Sequence, residues 1–281
     1  MTNRALKKWI RNPTSVLPGL FTAAFYIALF GNSVNPTNFI PTTSNGVAIP
    51  PATLAQIKAG IFATTFGGAP NYITYLTAGV ICLIVVFNMS FGGIDIVLDR
   101  QLGYFNTLLT SPISRASIFF SGVLQNLAKA MLLALLTFAV ALIVPDGLKL
   151  TSSFGPLEFL GAFAVFAMLG FGLSCVFTAL ALILRSIDSL VAIVNFINLP
   201  LIFMSNALFP STSFPSWLKD ISGVNPISKA NEAARILIIN GSPSASGQLG
   251  TFTGDVLYLV GFVIVMTLLG YLAATRAMRP E

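Results

Sequence analysis

The chain has 281 residues, of which 55% are hydrophobic and only 9% are charged. Soluble domains carry roughly 25% charged residues, so the composition excludes a large soluble domain. The net charge of +6 is assigned to membrane topology and to contact with anionic headgroups rather than to nucleic-acid binding. The absence of histidine removes the commonest acid–base group and weakens an enzyme interpretation.

Long apolar runs follow one another along the chain, and they are continuous rather than alternating. Continuous runs predict helices, whereas a membrane barrel would need alternation over about ten residues. About 20 helical residues cross a bilayer. We predict an all-α integral membrane protein with six transmembrane helices, at 15–31, 73–94, 116–144, 158–184, 189–209 and 254–275.

Lysine and arginine near the span ends predict the orientation. One side collects the basic N-terminal tail together with Arg100, Arg115 and Arg276, while the other side has only scattered lysines and one arginine. The side richer in basic residues is expected to be cytoplasmic. Both termini are therefore predicted to lie inside the cell.

Two segments on the outer side have a different composition. Residues 32–72 are rich in Asn, Thr, Pro and Gly, with a short helix expected at about 52–64. In the second segment, 210–253, Asn225 and Pro226 form a helix start, since Asn caps and Pro fits the first turn. The helix that follows is too short to span. It is either re-entrant or surface-lying, with an ordinary amphipathic loop helix as the alternative.

The stretch 88–129 is a polar island between two apolar runs. It has helical character on both sides of Gly103, and Pro112 ends the helix because the residue before proline avoids helical geometry. Arg115 marks re-entry into the bilayer. A helix lying in the inner interface and joined stiffly to two spans can transmit a push from a soluble partner; a passive connecting loop is the alternative.

Polar residues within the spans are costly and therefore candidates for a translocation path. Gln125 and Lys129 share one face of the third span, and Lys129 lies roughly 18 Å along the helix from its cytoplasmic end. Lys129 either reaches back to the interface or lines a hydrated path. Asn195 and Asn198 on the fifth span either line the same path or join helices by hydrogen bonds.

Motifs for catalysis are absent from the sequence. There is no G-x-x-x-x-G-K-[ST] phosphate loop, no H-E-x-x-H and no G-x-S-x-G. Cys82 and Cys175 lie in apolar runs without metal-ligand spacing and are interpreted as core residues. We therefore predict no catalytic residue and no metal site in this chain.

Three stretches together resemble the membrane subunits of ABC-2-type transporters, the permease family that includes drug, polyketide and polysaccharide exporters. The resemblance covers nearly the whole chain, and the order and spacing of the stretches make it specific. The stretches are Asp99–Phe105 with Leu108–Arg115, then Leu199–Pro210, and then Phe214–Leu218 through Asn225–Pro226 to Arg235.

The resemblance implies one transmembrane domain, 1–281, with an interface segment at 1–12, a cytoplasmic coupling segment at 95–115 and an extracytoplasmic re-entrant segment at 210–253. It also implies a second permease copy or paralogue and a dimer of separate ATPase subunits that would hold ATP and magnesium, with no cofactor on this chain. The residues assigned to ATPase coupling are Asp99, Arg100, Gly103, Tyr104, Phe105, Pro112 and Arg115.

The predicted function is a plasma-membrane export permease for an apolar or amphipathic cargo. A self-standing channel or secondary transporter is the nearest alternative, followed by a membrane scaffold. The sequence leaves open the identity of the cargo and of the ATPase. It also leaves open whether the permease pair is a homodimer or a heterodimer, and whether cargo moves between permeases or along a lipid-facing route.

Overall fold

The computed structural model describes residues 13–33, 43–44, 47–103, 114–145, 147–184, 186–244 and 247–277. A two-residue antiparallel pair, β1 (Thr43–Ser44) with β2 (Val47–Ala48), lies among helices. The α-helices in this part of the chain are α1 (Pro13–Ser33), α2 (Pro51–Thr65), α3 (Tyr72–Phe91), α4 (Ile94–Gln101), α5 (Arg115–Ile143), α6 (Pro156–Ile183), α7 (Ile187–Phe203), α8 (Ser216–Val224), α9 (Pro226–Asn240) and α10 (Leu249–Ala277).

The protein is a helical membrane protein. Four helical segments of the described chain are long and apolar enough to cross a bilayer: α3 with α4, α5, α6 and α10. Shorter apolar segments lie at Leu17–Gly31 in α1 and along α7. The predicted spans 73–94, 116–144, 158–184 and 254–275 therefore coincide with the four long helices, to within a few residues at each end.

The centre of the bundle is built from α3 and α6. Almost every residue of α3 is buried, including its polar Thr74, Thr77 and Ser90, because the helix is enclosed by α1, α5, α6, α7 and α9. A helix that is apolar all round belongs in a core, and α3 follows that rule. In contrast, α10 packs on α6 and α9 while leaving most of its apolar side chains exposed, as a lipid-facing helix does.

The fifth predicted span is shorter than the sequence indicates. We expected 189–209, but α7 ends at Phe203 and the chain then bends through Met204–Phe209. Pro200 cannot donate to the carbonyl one turn earlier. In the bend, the Ser205 hydroxyl donates to the Ile202 carbonyl, and Ser205 N–H bonds three residues back. The last turn tightens and the helix stops.

Both predicted outer helices are present. The first, α2, covers the expected 52–64, and none of its residues is buried. The second, α9, begins as expected, with the Asn225 side chain accepting from Ile227 N–H and Pro226 in the first turn. It packs against α3, α6 and α10, and most of its side chains are buried. The predicted interface segment 1–12 lies outside the described residues.

Candidate coupling and translocation sites

The joint between α3 and α4 is made of two glycines in right-handed helical conformation. A Cβ on Gly92 would lie 2.4 Å from the side chain of Asn126 on α5, and one on Gly93 would lie 2.7 Å from Ala181 on α6. Glycine is required here by the closeness of these neighbours rather than by its backbone angles, with φ of −61° and −73°. The joint is consequently packed tightly between α5 and α6.

An ion pair connects α4 to the middle of α5. Lys129 Nζ lies 2.8 Å from Asp95 Oδ2, with 14% of the lysine side chain and 57% of the aspartate side chain exposed. Lys129 was predicted either to reach back to the interface or to line a path. The structure gives it a carboxylate partner, which offsets the cost of holding an ammonium group within an apolar helix.

The predicted coupling residues continue from this ion pair. Asp99 is exposed in α4, and the Arg100 guanidinium lies 3.5 Å from the Leu184 carbonyl, which precedes α7. Gly103 adopts a φ of +78°, the left-handed conformation that glycine tolerates and that ends the helix. Arg115 opens α5, where the Ser114 hydroxyl caps the helix by accepting from Ser117 N–H. Tyr104, Phe105 and Pro112 lie outside the described residues.

The path candidates do not form one cluster. Gln125 and Lys129 are half-buried on α5, Asn195 is exposed on α7, and Asn198 is buried with its Oδ1 accepting from the Ser90 hydroxyl at 3.0 Å. Within the described part of the chain, the structure shows no hydrogen bond joining any two of these four residues. Asn198 takes the interhelical hydrogen-bonding role that the sequence left as an alternative.

A second polar site escaped the sequence analysis. It joins α9 to residues 205–208, which are termed the outer bend because this end of the bundle is predicted to be extracytoplasmic. Four side chains of α9 form a stripe along one helix face, termed the α9 inner face: Ser228, Asn231, Glu232 and Arg235. Their spacing of three, four and seven residues places them on the same side of the helix.

The α9 inner face bonds to the outer bend atom by atom. The Ser228 hydroxyl accepts from Asn206 N–H at 3.2 Å, Asn231 Nδ2 donates to the Asn206 carbonyl at 3.0 Å, and Asn206 Nδ2 donates to Glu232 Oε1 at 2.7 Å. Asn225, just before α9, donates to the Leu201 carbonyl at 2.7 Å. The polar groups of Asn206 in the bend and the Leu201 carbonyl near the end of α7 are therefore paired by α9 and by the residue before it.

Arg235 connects this bend to α3. Its Nε donates to the Tyr75 carbonyl at 3.2 Å and its Nη2 to the Ala207 carbonyl at 2.9 Å. The guanidinium carbon stands 3.6 Å from the centre of the Tyr75 ring. Burial lowers the pKa of Arg235. A planar fork that bonds two carbonyls while stacking on a ring suits arginine and not lysine.

Glu232 and Arg235 also line a cleft of 260 Å³ between the α2–α3 turn, α9 and the start of α10. Burial raises the pKa of Glu232, and the negative charge of Asp255 raises it further. Burial alone would lower the pKa of Lys229, but the hydrogen bond and charge of Asp255, 3.0 Å away, outweigh it and raise that pKa. The Lys229–Asp255 pair joins α9 to α10.

The spacing of polar residues in 225–235 could have identified the α9 inner face. Polar side chains on a helix in apolar surroundings require polar partners, and the stripe itself can be read from the sequence. The partner was not visible, because it consists mainly of backbone groups at the end of α7.

Comparisons with known proteins identify the family of this chain. A family model described as ABC-2 type transporter matches residues 1–239. The chain belongs to the ABC-2 type transporter family. This ABC-2 permease is similar to the transport permease ycf38 of Cyanophora paradoxa, with 29% identity over 215 residues, 74% of this chain and 72% of the relative.

Two further relatives carry names from drug resistance. The daunorubicin resistance ABC transporter permease protein DrrB1 of Streptomyces coeruleorubidus is 28% identical over 187 residues, which cover 63% of each chain. The doxorubicin resistance ABC transporter permease protein DrrC of Mycobacterium tuberculosis is 23% identical over 250 residues, 89% of this chain and 79% of the relative. The ABC-2 permease described above thus has proteins named for drug resistance among its homologues.

Proposed function

We propose that this chain is the membrane subunit of an ATP-driven exporter whose ATPase is a separate polypeptide. Family membership carries the proposal. The glycine joint supports it, because α4 is packed against α5 and α6 directly after the most buried helix of the bundle. A displacement of α4 from the cytoplasmic side is therefore transmitted to the core of the bundle and is not taken up by a flexible loop.

In this proposal six helices span the plasma membrane, namely α1, α3, α5, α6, α7 and α10. Both termini are cytoplasmic, residues 1–12 contact the ATPase side, 95–115 couple to the ATPase, and 210–253 are extracytoplasmic with α9 re-entrant. Two permease copies or paralogues associate with an ATPase dimer, which binds ATP and magnesium. ATP-driven closure of that dimer shifts the permease pair between two arrangements.

The cargo is proposed to be apolar or amphipathic, as the names of the drug-resistance relatives support. Gln125, Lys129, Asn195 and Asn198 remain the path candidates. Replacing Lys129 with alanine should reduce transport more than protein abundance; an equal fall in both would assign Lys129 a structural role only.

The decisive experiment is affinity purification of the tagged chain from its native membranes, followed by mass spectrometry. A soluble ATPase in stoichiometric amount is the expected result. A homo-oligomer without ATPase would favour a channel or secondary transporter instead.

The substitution Gly103→Pro tests the coupling role of this segment. Proline cannot adopt a φ of +78°, so ATPase activity should be uncoupled from transport while membrane insertion is retained. Unchanged transport would remove the coupling role from this segment.

A further inference from the structure

Helix α7 packs against the core along one side, through buried Leu190 and Val194 and partly buried Ile187, Ile197, Leu201 and Ile202. Its buried residues are confined to Leu190, Val194 and Asn198, which recur every four residues and form one narrow stripe. Phe196 and Phe203, on other faces, are 78% and 73% exposed. Burial of apolar area is non-directional, so this packing alone does not define how far α7 is displaced along α3.

Polar contacts join the α3–α4 segment to α7 and to the chain on either side of it. Before α7, Arg100 of α4 lies 3.5 Å from the carbonyl of Leu184, the residue that caps the end of α6. Near the middle, Ser90 of α3 donates to Asn198. At the outer end, Arg235 bridges the carbonyls of Tyr75 on α3 and Ala207 in the outer bend.

The backbones also touch directly at the outer end. A Cβ on Gly79 of α3 would lie only 1.7 Å from the Ala207 carbonyl oxygen. That oxygen is thus held between the α3 backbone on one side and the Arg235 guanidinium on the other. Asn206 and Ala207 are 2% and 1% exposed, so water has almost no access to the hydrogen bonds that fix the bend.

Opening such a contact would leave buried carbonyls and a buried guanidinium without partners, which is strongly unfavourable. The hydrogen bonds are directional, so they define one position of α7 where the apolar packing does not. We infer that α3–α4 and α7 form a single rigid lever, and that Arg235 is the residue that positions the outer end of α7 on α3. When the coupling segment moves, α3 and α7 would then move together without sliding past each other, and the motion would reach the exposed face of α7. This last step rests on the proposed function.

The first test requires neither ATPase nor cargo. Cys82 and Cys175 are buried and free, and alanine would replace them in the full chain. Ser90 and Asn198 would become cysteines, and disulfide formation would be measured in membranes with copper phenanthroline. The pair should cross-link efficiently with Arg235 present, and the yield should fall several-fold in Arg235→Met. Arg235→Lys, which retains the charge but not the fork, provides a second variant if Arg235→Met fails to accumulate.

The matched control is Lys229→Met, which removes a cation from the same helix but one that bonds to α10 instead of α3. Its cross-linking yield should equal that of the parent chain. If the Arg235 variants cross-link as well as the parent, Arg235 does not position α7 and the inference is wrong.

The second test measures transport. The oxidised Ser90→Cys/Asn198→Cys chain should export cargo as fast as the reduced form of the same chain. Loss of transport on oxidation, with recovery on reduction, would show that α7 slides along α3 and would overturn the lever. If no form of the chain supports ATP-driven transport, the proposed function fails, and the cross-linking experiment still decides the role of Arg235.

Discussion

The two ends of the bundle are held together in different ways. At the outer end, the α9 inner face is sealed against the bend that follows α7, and nearly every polar group there has a partner within the described chain. At the inner end, α4 places Asp95 and Asp99 at the surface, and one ion pair to Lys129 crosses from it to α5.

The difference fits two roles. A buried, multiply bonded network specifies one arrangement and resists opening, whereas a helix end whose Asp95 and Asp99 side chains are exposed is accessible from solvent. If packing alone positioned α7, the hydrogen-bond network at the outer end would not be needed to hold it. Substitutions that break the outer contact, then the inner one, and then remove one charge from the outer network test this difference.

The largest effect is expected from Gly79→Val. Its side chain would overlap the Ala207 carbonyl, a backbone atom that cannot turn away, so α3 and the outer bend must separate. Overpacking costs about 1–3 kcal/mol and more where backbone must move. Thermal unfolding in detergent, followed by tryptophan fluorescence, should show a greatly lowered Tm or no folded protein. Gly261→Ala, where a Cβ meets nothing within 4 Å, is the control. Equal Tm values for both variants would contradict the close approach.

At the inner end the two halves of the ion pair should have unequal effects. Asp95→Asn leaves the mostly buried Lys129 ammonium without its partner, and a loss of about 1–3 kcal/mol in stability is expected. Lys129→Met removes the buried charge and leaves a carboxylate that is 57% exposed, so less than about 1 kcal/mol should be lost. Unfolding of both single variants and of the double variant measures the coupling. Equal losses in the two single variants would show that Lys129 is solvated without Asp95.

The smallest effect concerns the charge of Glu232. Because its pKa is raised in the folded protein, the unfolded chain releases the proton first as pH rises. The contribution of Glu232 is therefore greatest below pH 4.5, its ordinary pKa, and is lost as pH rises through the folded pKa. Glu232→Gln should flatten the fall in Tm between pH 4.5 and neutrality, by a few degrees at most, and Asp220→Asn on exposed α8 should not. An unchanged slope would mean that the pKa of Glu232 is the same in the folded and unfolded states.

Individual residues show which features can be predicted from the sequence and which cannot. Asn225 and Pro226 are local signals, and they located the start of α9 correctly because capping depends on neighbouring residues alone. Lys129 was recognised as a costly charge, but its partner Asp95 is 34 positions away and on another helix. Coupling roles for Asp99, Arg100 and Gly103 stay predictions, as do the path roles of Gln125, Lys129, Asn195 and Asn198.

The sequence by itself determined the class of protein. Apolar runs of span length and the order of the family's stretches depend only on local composition, so helices, membrane and permease family could all be predicted. Only the tertiary structure decided where α7 ends, which side of α9 faces inward, and that Arg235 bonds to the carbonyls of Tyr75 and Ala207. Those partners are backbone atoms, which every residue carries, and no residue type in the sequence marks which of them a distant side chain will meet.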